Sequence, residues 1–254
     1  MTGALARAQR EFVLFILLAA IPAFAIAALY HLLSWPTPMV QQAANFEWVL
    51  TATYVAIGAV SVGLFSWTVT PETPRLDQGQ RWTVLTVCSI GVGLIYGLTD
   101  LAINRLTPWG KHLASVDQRN GYDASFVNVH PPWSLPHYFH ASIISECAFR
   151  LAPILLLGGL IGLFVRGRGR EITFWVLALL AALIEPLEKS VMLRKWALLG
   201  DTPAEQLMNA EAIAWQFVFA VLLRRFGWPA PILARFGYYL VVRCFIQGVP
   251  APHA

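Results

Sequence analysis

The sequence predicts an all-α membrane protein of about seven transmembrane helices. Three observations lead there. The 254 residues are 57% hydrophobic and only 13% charged, against about 25% charged in soluble domains. Mean hydropathy is +0.59. The apolar residues also fall into runs near the length, about 20 residues, that a helix needs to cross a bilayer. A net charge of +4 does not argue for nucleic-acid binding, because the basic residues lie scattered between apolar runs rather than on one face. Cys88, Cys147 and Cys244 all lie within apolar runs. They lack metal-site or disulfide spacing and read as free buried thiols.

The expected spans are roughly 12–33, 48–67, 82–103, 141–165, 172–193, 208–224 and 230–247. The first follows Arg7 and Arg10. At about 22 residues it is too long for an ordinary signal-peptide core and reads as a retained helix. The next three are continuous apolar runs. The fifth is interrupted by Glu185, Pro186, Glu188 and Lys189, and the last two are short.

Lysine and arginine placement sets the orientation. Arg7, Arg10, Arg75, Arg81, Arg166, Arg168, Arg170, Arg224 and Arg225 fall on one side. Arg105, Lys111, Arg119, Lys189, Arg194 and Lys195 fall on the other. The compact "RGRGR" at 166–170 is the clearest anchor, so the N-terminus is expected inside and the C-terminus outside. The connection 104–140 then lies outside. It carries "HPPWSLPHYFH", with His130, His137 and His140. His137 and His140, three apart at an expected helix start, could hold a metal by spacing, but an interfacial cap at the headgroup level is the plainer expectation. Trp48, Trp67, Trp82 and Trp228, near span ends, fit an interfacial belt.

Charges inside the apolar runs stand out. Asp100 ends span three, Glu146 and Arg150 lie one turn apart in span four, and Glu185 and Glu188 share a face of span five. Glu211 opens span six, and Arg235 and Arg243 lie in span seven with Tyr239 between them. An ionisable residue at membrane depth costs about 2.5–3.5 kcal/mol on insertion scales. Such residues should therefore face the bundle interior and pair, in a cluster shared by the last four helices.

These charged helices resemble the CPBP intramembrane protease family of CaaX-processing and abortive-infection proteins. "SECAFRL" (145–151) is similar to that family's Glu-Glu-x-x-x-Arg motif. "ALLAALIEPL" (178–187) stands where Phe-x-x-x-His is expected. "RRFGWPAPILARFGYYLVVR" (224–243) follows the lead and body of the third motif, His-x-x-x-Asn/Asp. The resemblance covers about 139–248 and implies a division into three N-terminal helices with an external loop (1–138) and a four-helix core (139–254). It implies a bacterial cytoplasmic membrane protein with site positions at Glu146, Arg150, Glu185 and Arg235.

Those positions depart from the family's chemistry. Ser145 replaces the first motif glutamate, which serves the family as general base. Glu185 and Arg235 replace the two histidines, while Ala181 and Tyr239 replace the motif phenylalanine and Asn/Asp. Arginine stays protonated and cannot ligate a metal, and no core histidine is present to activate Ser145. The expectation is a divergent member without the family's ordinary peptidase mechanism, a scaffold with a Glu185–Arg235 salt bridge in the old site and Glu146–Arg150 as a structural pair. No cofactor and no core metal are expected. The expected partners are membrane lipids and a membrane protein or peptide, with no nucleic acid. The alternatives are an active peptidase that uses Glu146 or Glu185, and a membrane subunit that binds a lipid, quinone or pigment among its aromatics.

Overall fold

The computed structural model describes residues 2–32, 38–65, 78–106, 134–192 and 203–245. These residues are helical with no strands, and they form seven rods. The first rod is α1 (Thr2–Phe15), a widened turn at Ile16–Ala20, and α2 (Ile21–Leu32). The second is α3 (Pro38–Phe65) and the third α4 (Gln78–Leu106). The fourth joins α5 (Ser134–Glu146) to α6 (Gly158–Gly162) through a widened stretch, Cys147–Leu157. The last three are α7 (Arg168–Met192), α8 (Pro203–Phe226) and α9 (Pro229–Tyr239), the last continued by a widened end at Leu240–Phe245.

Two of the widened stretches have a sequence cause. A proline inside a helix lacks the N–H for the ladder, and its ring crowds the carbonyl four residues earlier. Pro22 crowds the position of Leu18, within the first stretch, and Pro153 crowds that of Phe149, within the second. The backbone there takes the wider π course.

Four segments are long and apolar enough to cross a membrane: Ala6–Leu29, Trp48–Phe65, Gly79–Ile103 and Ser134–Gly162. They correspond to the first four expected spans. The last three rods exist as helices, but ionisable residues such as Glu185, Glu188, Glu205 and Glu211 interrupt or open two of them. The fourth rod begins at Ser134, earlier than the expected 141. Its Pro136 sits in the first turn, where a missing N–H is harmless. His137 and His140 therefore lie in the first two turns of this helix; His130 lies outside the described residues. Cys147 is buried as expected, whereas Cys88 is exposed on the outward face of α4. The Cys244 side chain lies outside the described ones.

Successive rods run in opposite directions. Phe15 of α1 lies against Gly58 of α3, and Phe12 against Gly63. Trp175 of α7 meets Phe217 of α8, and Glu171 meets Arg224. Two parallel pairs result. Gly58 and Gly159 bring α3 beside the fourth rod, facing Cys147 and Phe65 respectively. The most extensive interface joins α4 to α9. There Gly93 touches the Ala234 backbone, Gly97 approaches Val241, and Gly237 lies so close that an added Cβ would sit 2.7 Å from the Ile90 carbonyl oxygen. Lipid offers helices no hydrophobic reason to associate, and small residues that let backbones approach supply the attraction through packing. Both interfaces cross the sequence division at 138–139.

The main core collects Phe15, Val62, Ile143, Cys147, Leu151 and Leu223 around Trp228, whose ring meets Phe15 edge-on at 5.1 Å. One end of the bundle is tied by polar bonds. Arg170 donates to the carbonyl oxygens of Gly162 (2.8 Å) and Val165 (2.9 Å), which closes the turn between α6 and α7. Gly167 in that turn has φ +58°, a conformation glycine adopts without strain. Glu171 accepts from Arg224 (2.6 Å) and Trp175 (2.7 Å), and Glu11 accepts from Trp228 (3.2 Å).

Candidate functional site: a buried ion cluster

Three of the four expected site residues have described side chains, and all three converge. Glu146 is the last residue of α5, and Arg150 follows it by four, within the widened stretch. Arg235 comes from the middle of α9. Glu146 Oε1 accepts from Arg150 Nη1 at 2.7 Å and from Arg235 Nε at 2.5 Å. Arg235 Nη2 donates to Gln216 Oε1 of α8 at 3.0 Å, and Arg150 Nη2 reaches the Gln216 backbone carbonyl at 3.5 Å. Phe219, one turn beyond Gln216, lies beneath both guanidiniums, 5.2 Å from Arg150 and 5.8 Å from Arg235. Phe149 faces Arg235 at 5.8 Å.

The site is closed to solvent. Glu146 is 0% exposed, Arg150 1%, Gln216 2% and Arg235 4%. Charge-assisted bonds of this kind are the strong ones, and a ring face below a desolvated cation adds attraction. The removal of two guanidiniums and a carboxylate from water is nonetheless expensive, so the cluster is weak evidence for stability as such. One feature is incomplete. Glu146 Oε2 is buried and has no hydrogen-bond partner among the described residues.

The arrangement adds a partner to the expected pairing. Arg235, expected opposite Glu185, bonds to Glu146. The backbone of Glu185 lies in α7, but its side chain, like those of Glu188 and Arg243, is outside the described ones. The structure therefore leaves the Glu185–Arg235 pair without a described geometry. The Glu146–Arg150 pair is present as expected. Gln216 and Phe219 were not singled out from sequence. A lone glutamine in an apolar run and one of 15 phenylalanines carry no local signal. Only the arginines they serve mark them.

Two further polar groups lie toward the opposite end of the rods from Glu11 and Glu171. Asp100 accepts from Tyr238 Oη at 2.9 Å, and Thr99 donates to Glu211 at 2.9 Å. Beside them Tyr96 is sandwiched between Trp215 (5.0 Å) and Tyr238 (4.3 Å). These rings cover one another's faces, so the sandwich is packing rather than an open ring pocket. His140 is 4% exposed, and its Nε2 is 2.9 Å from Thr51 Oγ1 of α3. The earlier start of α5 places it within the helix, packed against α3. Among the described residues, no three His, Cys, Asp or Glu side chains converge as a metal site.

No family model, curated protein or solved structure matches the chain.

Proposed function

We propose that this chain is a CPBP-like polytopic membrane protein without peptidase turnover, acting as a scaffold for a membrane protein or peptide partner. One observation carries the reading. Glu146, the remaining carboxylate of the first motif-like stretch, is fully buried and shares one oxygen between Arg150 and Arg235. Peptide hydrolysis needs a base that reaches water and donors that reach a developing oxyanion. A carboxylate enclosed by two guanidiniums and a phenylalanine ring admits neither. The reading takes all seven rods as spans in a bacterial cytoplasmic membrane, with the N-terminus and the 166–170 turn inside. The arginine distribution supports it.

A second reading, a glutamate-dependent peptidase with a rearranged site, draws on Glu146 Oε2, which no described donor meets. One assay separates the two. Purified protein in liposomes is incubated with membrane-spanning peptides, beside Glu146→Gln. The scaffold reading expects no cleavage above that of the variant. Cleavage by the wild type that Glu146→Gln abolishes would overturn it.

A further inference from the structure

We infer that the turn between α6 and α7, together with the end of α8, is a binding site for an anionic phospholipid headgroup. The argument begins with the acids at this end of the bundle. Glu11 and Glu171 are already engaged, Glu11 by Arg10 (3.3 Å) and Trp228, Glu171 by Arg224 (2.6 Å) and Trp175. The next arginines outward are exposed. Arg166, Arg168 and Arg225 have no ion-pair partner among the described residues, and no described acid at this end remains to meet them. The inner arginines hold the helices; the outer ones present unneutralised charge.

The same turn is apolar on its membrane side. Phe164 is 87% exposed, the most of any large hydrophobic residue described, and Leu163 beside it is 54% exposed. The turn has a fixed shape, because Arg170 ties the carbonyls of Gly162 and Val165 and Gly167 takes the left-handed conformation. Arg166 and Arg168 flank that glycine and stand on either side of the bend. A soluble anion would use the arginines and ignore Phe164 and Leu163. A phospholipid uses both, with its phosphate against the guanidiniums and its acyl chains along the rings and leucines. Arginine binds phosphate through paired N–H donors, and juxtamembrane basic residues are attracted to anionic leaflets.

The test measures retention of phosphatidylglycerol and of phosphatidylcholine by the detergent-solubilised full chain, read by native mass spectrometry and by lipid titration. Wild type should prefer phosphatidylglycerol. An arginine at an anionic surface is worth about fivefold in affinity. Arg166→Gln and Arg168→Gln should each lose about that factor, and the triple variant with Arg225→Gln on the order of a hundredfold. Phe164→Ser should weaken both lipids and leave the preference intact. Arg105→Gln with Arg119→Gln, on the expected opposite side, should change nothing. Undiminished phosphatidylglycerol preference in the single and triple variants would overturn the proposal. So would an equal loss in the opposite-side control. Competition by inorganic phosphate as effective as that by the lipid would assign the arginines to a soluble anion and equally overturn it.

Discussion

Buried charge is asymmetric at the level of single residues. Once Glu146, Arg150 and Arg235 are desolvated, the loss of Glu146 leaves two guanidiniums uncompensated, at about 3–5 kcal/mol in soluble interiors, and the loss of Arg235 leaves Glu146 and Gln216 short of a donor. The penalty is smaller in a membrane bundle, where the inserted but unpacked chain also finds partners. Glu146→Ala and Arg235→Ala should each lower thermal stability in detergent substantially, and the double variant should lose less than the two losses added. Additive losses in this cycle would mean that the 2.5 Å contact between them carries no coupling energy. Thr51→Val should cost about 1 kcal/mol by removing the hydrogen bond between Thr51 and His140. A melting temperature equal to that of wild type would show that this bond contributes nothing net to stability. The sequence marked these charges well, because ionisable residues in apolar runs are rare enough to need a reason. It could not pair them. Glu146 and Arg150 are four residues apart and visibly neighbours on a helix. Glu146 and Arg235 are 89 apart, and nothing in the sequence ranked Glu146 above Glu185 as a partner for Arg235.

Glycine and proline decide the helices more than hydrophobicity does. In α4, Gly93 and Gly91 are two residues apart in the same rod, yet their surroundings are opposite. A Cβ on Gly93 would overlap the Ala234 backbone, while one on Gly91 meets nothing within 4 Å. Gly93→Leu should therefore separate α4 from α9 and destabilise by about 1–3 kcal/mol or more, and Gly91→Leu should be nearly neutral. The pair is measured side by side by thermal unfolding in one detergent. Equal losses would contradict the α4–α9 interface described above. Apolar run length placed the described end of every rod to within three residues, but the first and second rods begin ten residues before the expected 12 and 48. The start of the fourth rod was missed by seven residues, from 141 to Ser134, because a cluster of prolines reads as a connection. Pro136 is harmless in a first turn, and that distinction depends on where the helix begins, which composition does not reveal. The sharing of α4 with α9 was equally hidden, since "small residue every fourth" is too common among apolar residues to name its partner.

The alternating direction of the rods gathers many of the described arginines at one end, with Arg105 at the other. Arg7, Arg10, Arg166, Arg168, Arg170, Arg224 and Arg225 share the end at which Glu11 and Glu171 are bonded. Positively charged short connections face the cytoplasm. In a background without native cysteines, Arg168→Cys should be labelled by an impermeant thiol reagent only after the membrane is opened. Labelling of intact cells would reverse the orientation. The sequence anticipated the grouping of these arginines because loop charge is a local property. The division of the chain at 138–139 rested on motif resemblance, and the interfaces of α3 with the fourth rod and of α4 with α9 depend on contacts between distant segments that no local pattern records.

The parallel pairing of α4 with α9 also has a consequence in time. Chains are made and released from the N-terminus, so α4 reaches the bilayer long before its partner exists. Until α9 emerges, the glycine face of α4 has no backbone to meet, and Glu146 has only the arginine four residues after it. The local pair makes the fourth rod tolerable on its own; the second guanidinium arrives with the last helix. A ribosome that stops before residue 229 would release a chain with an open seam and a Glu146 that lacks its second guanidinium, features by which a membrane protease tells an unfinished copy from a finished one.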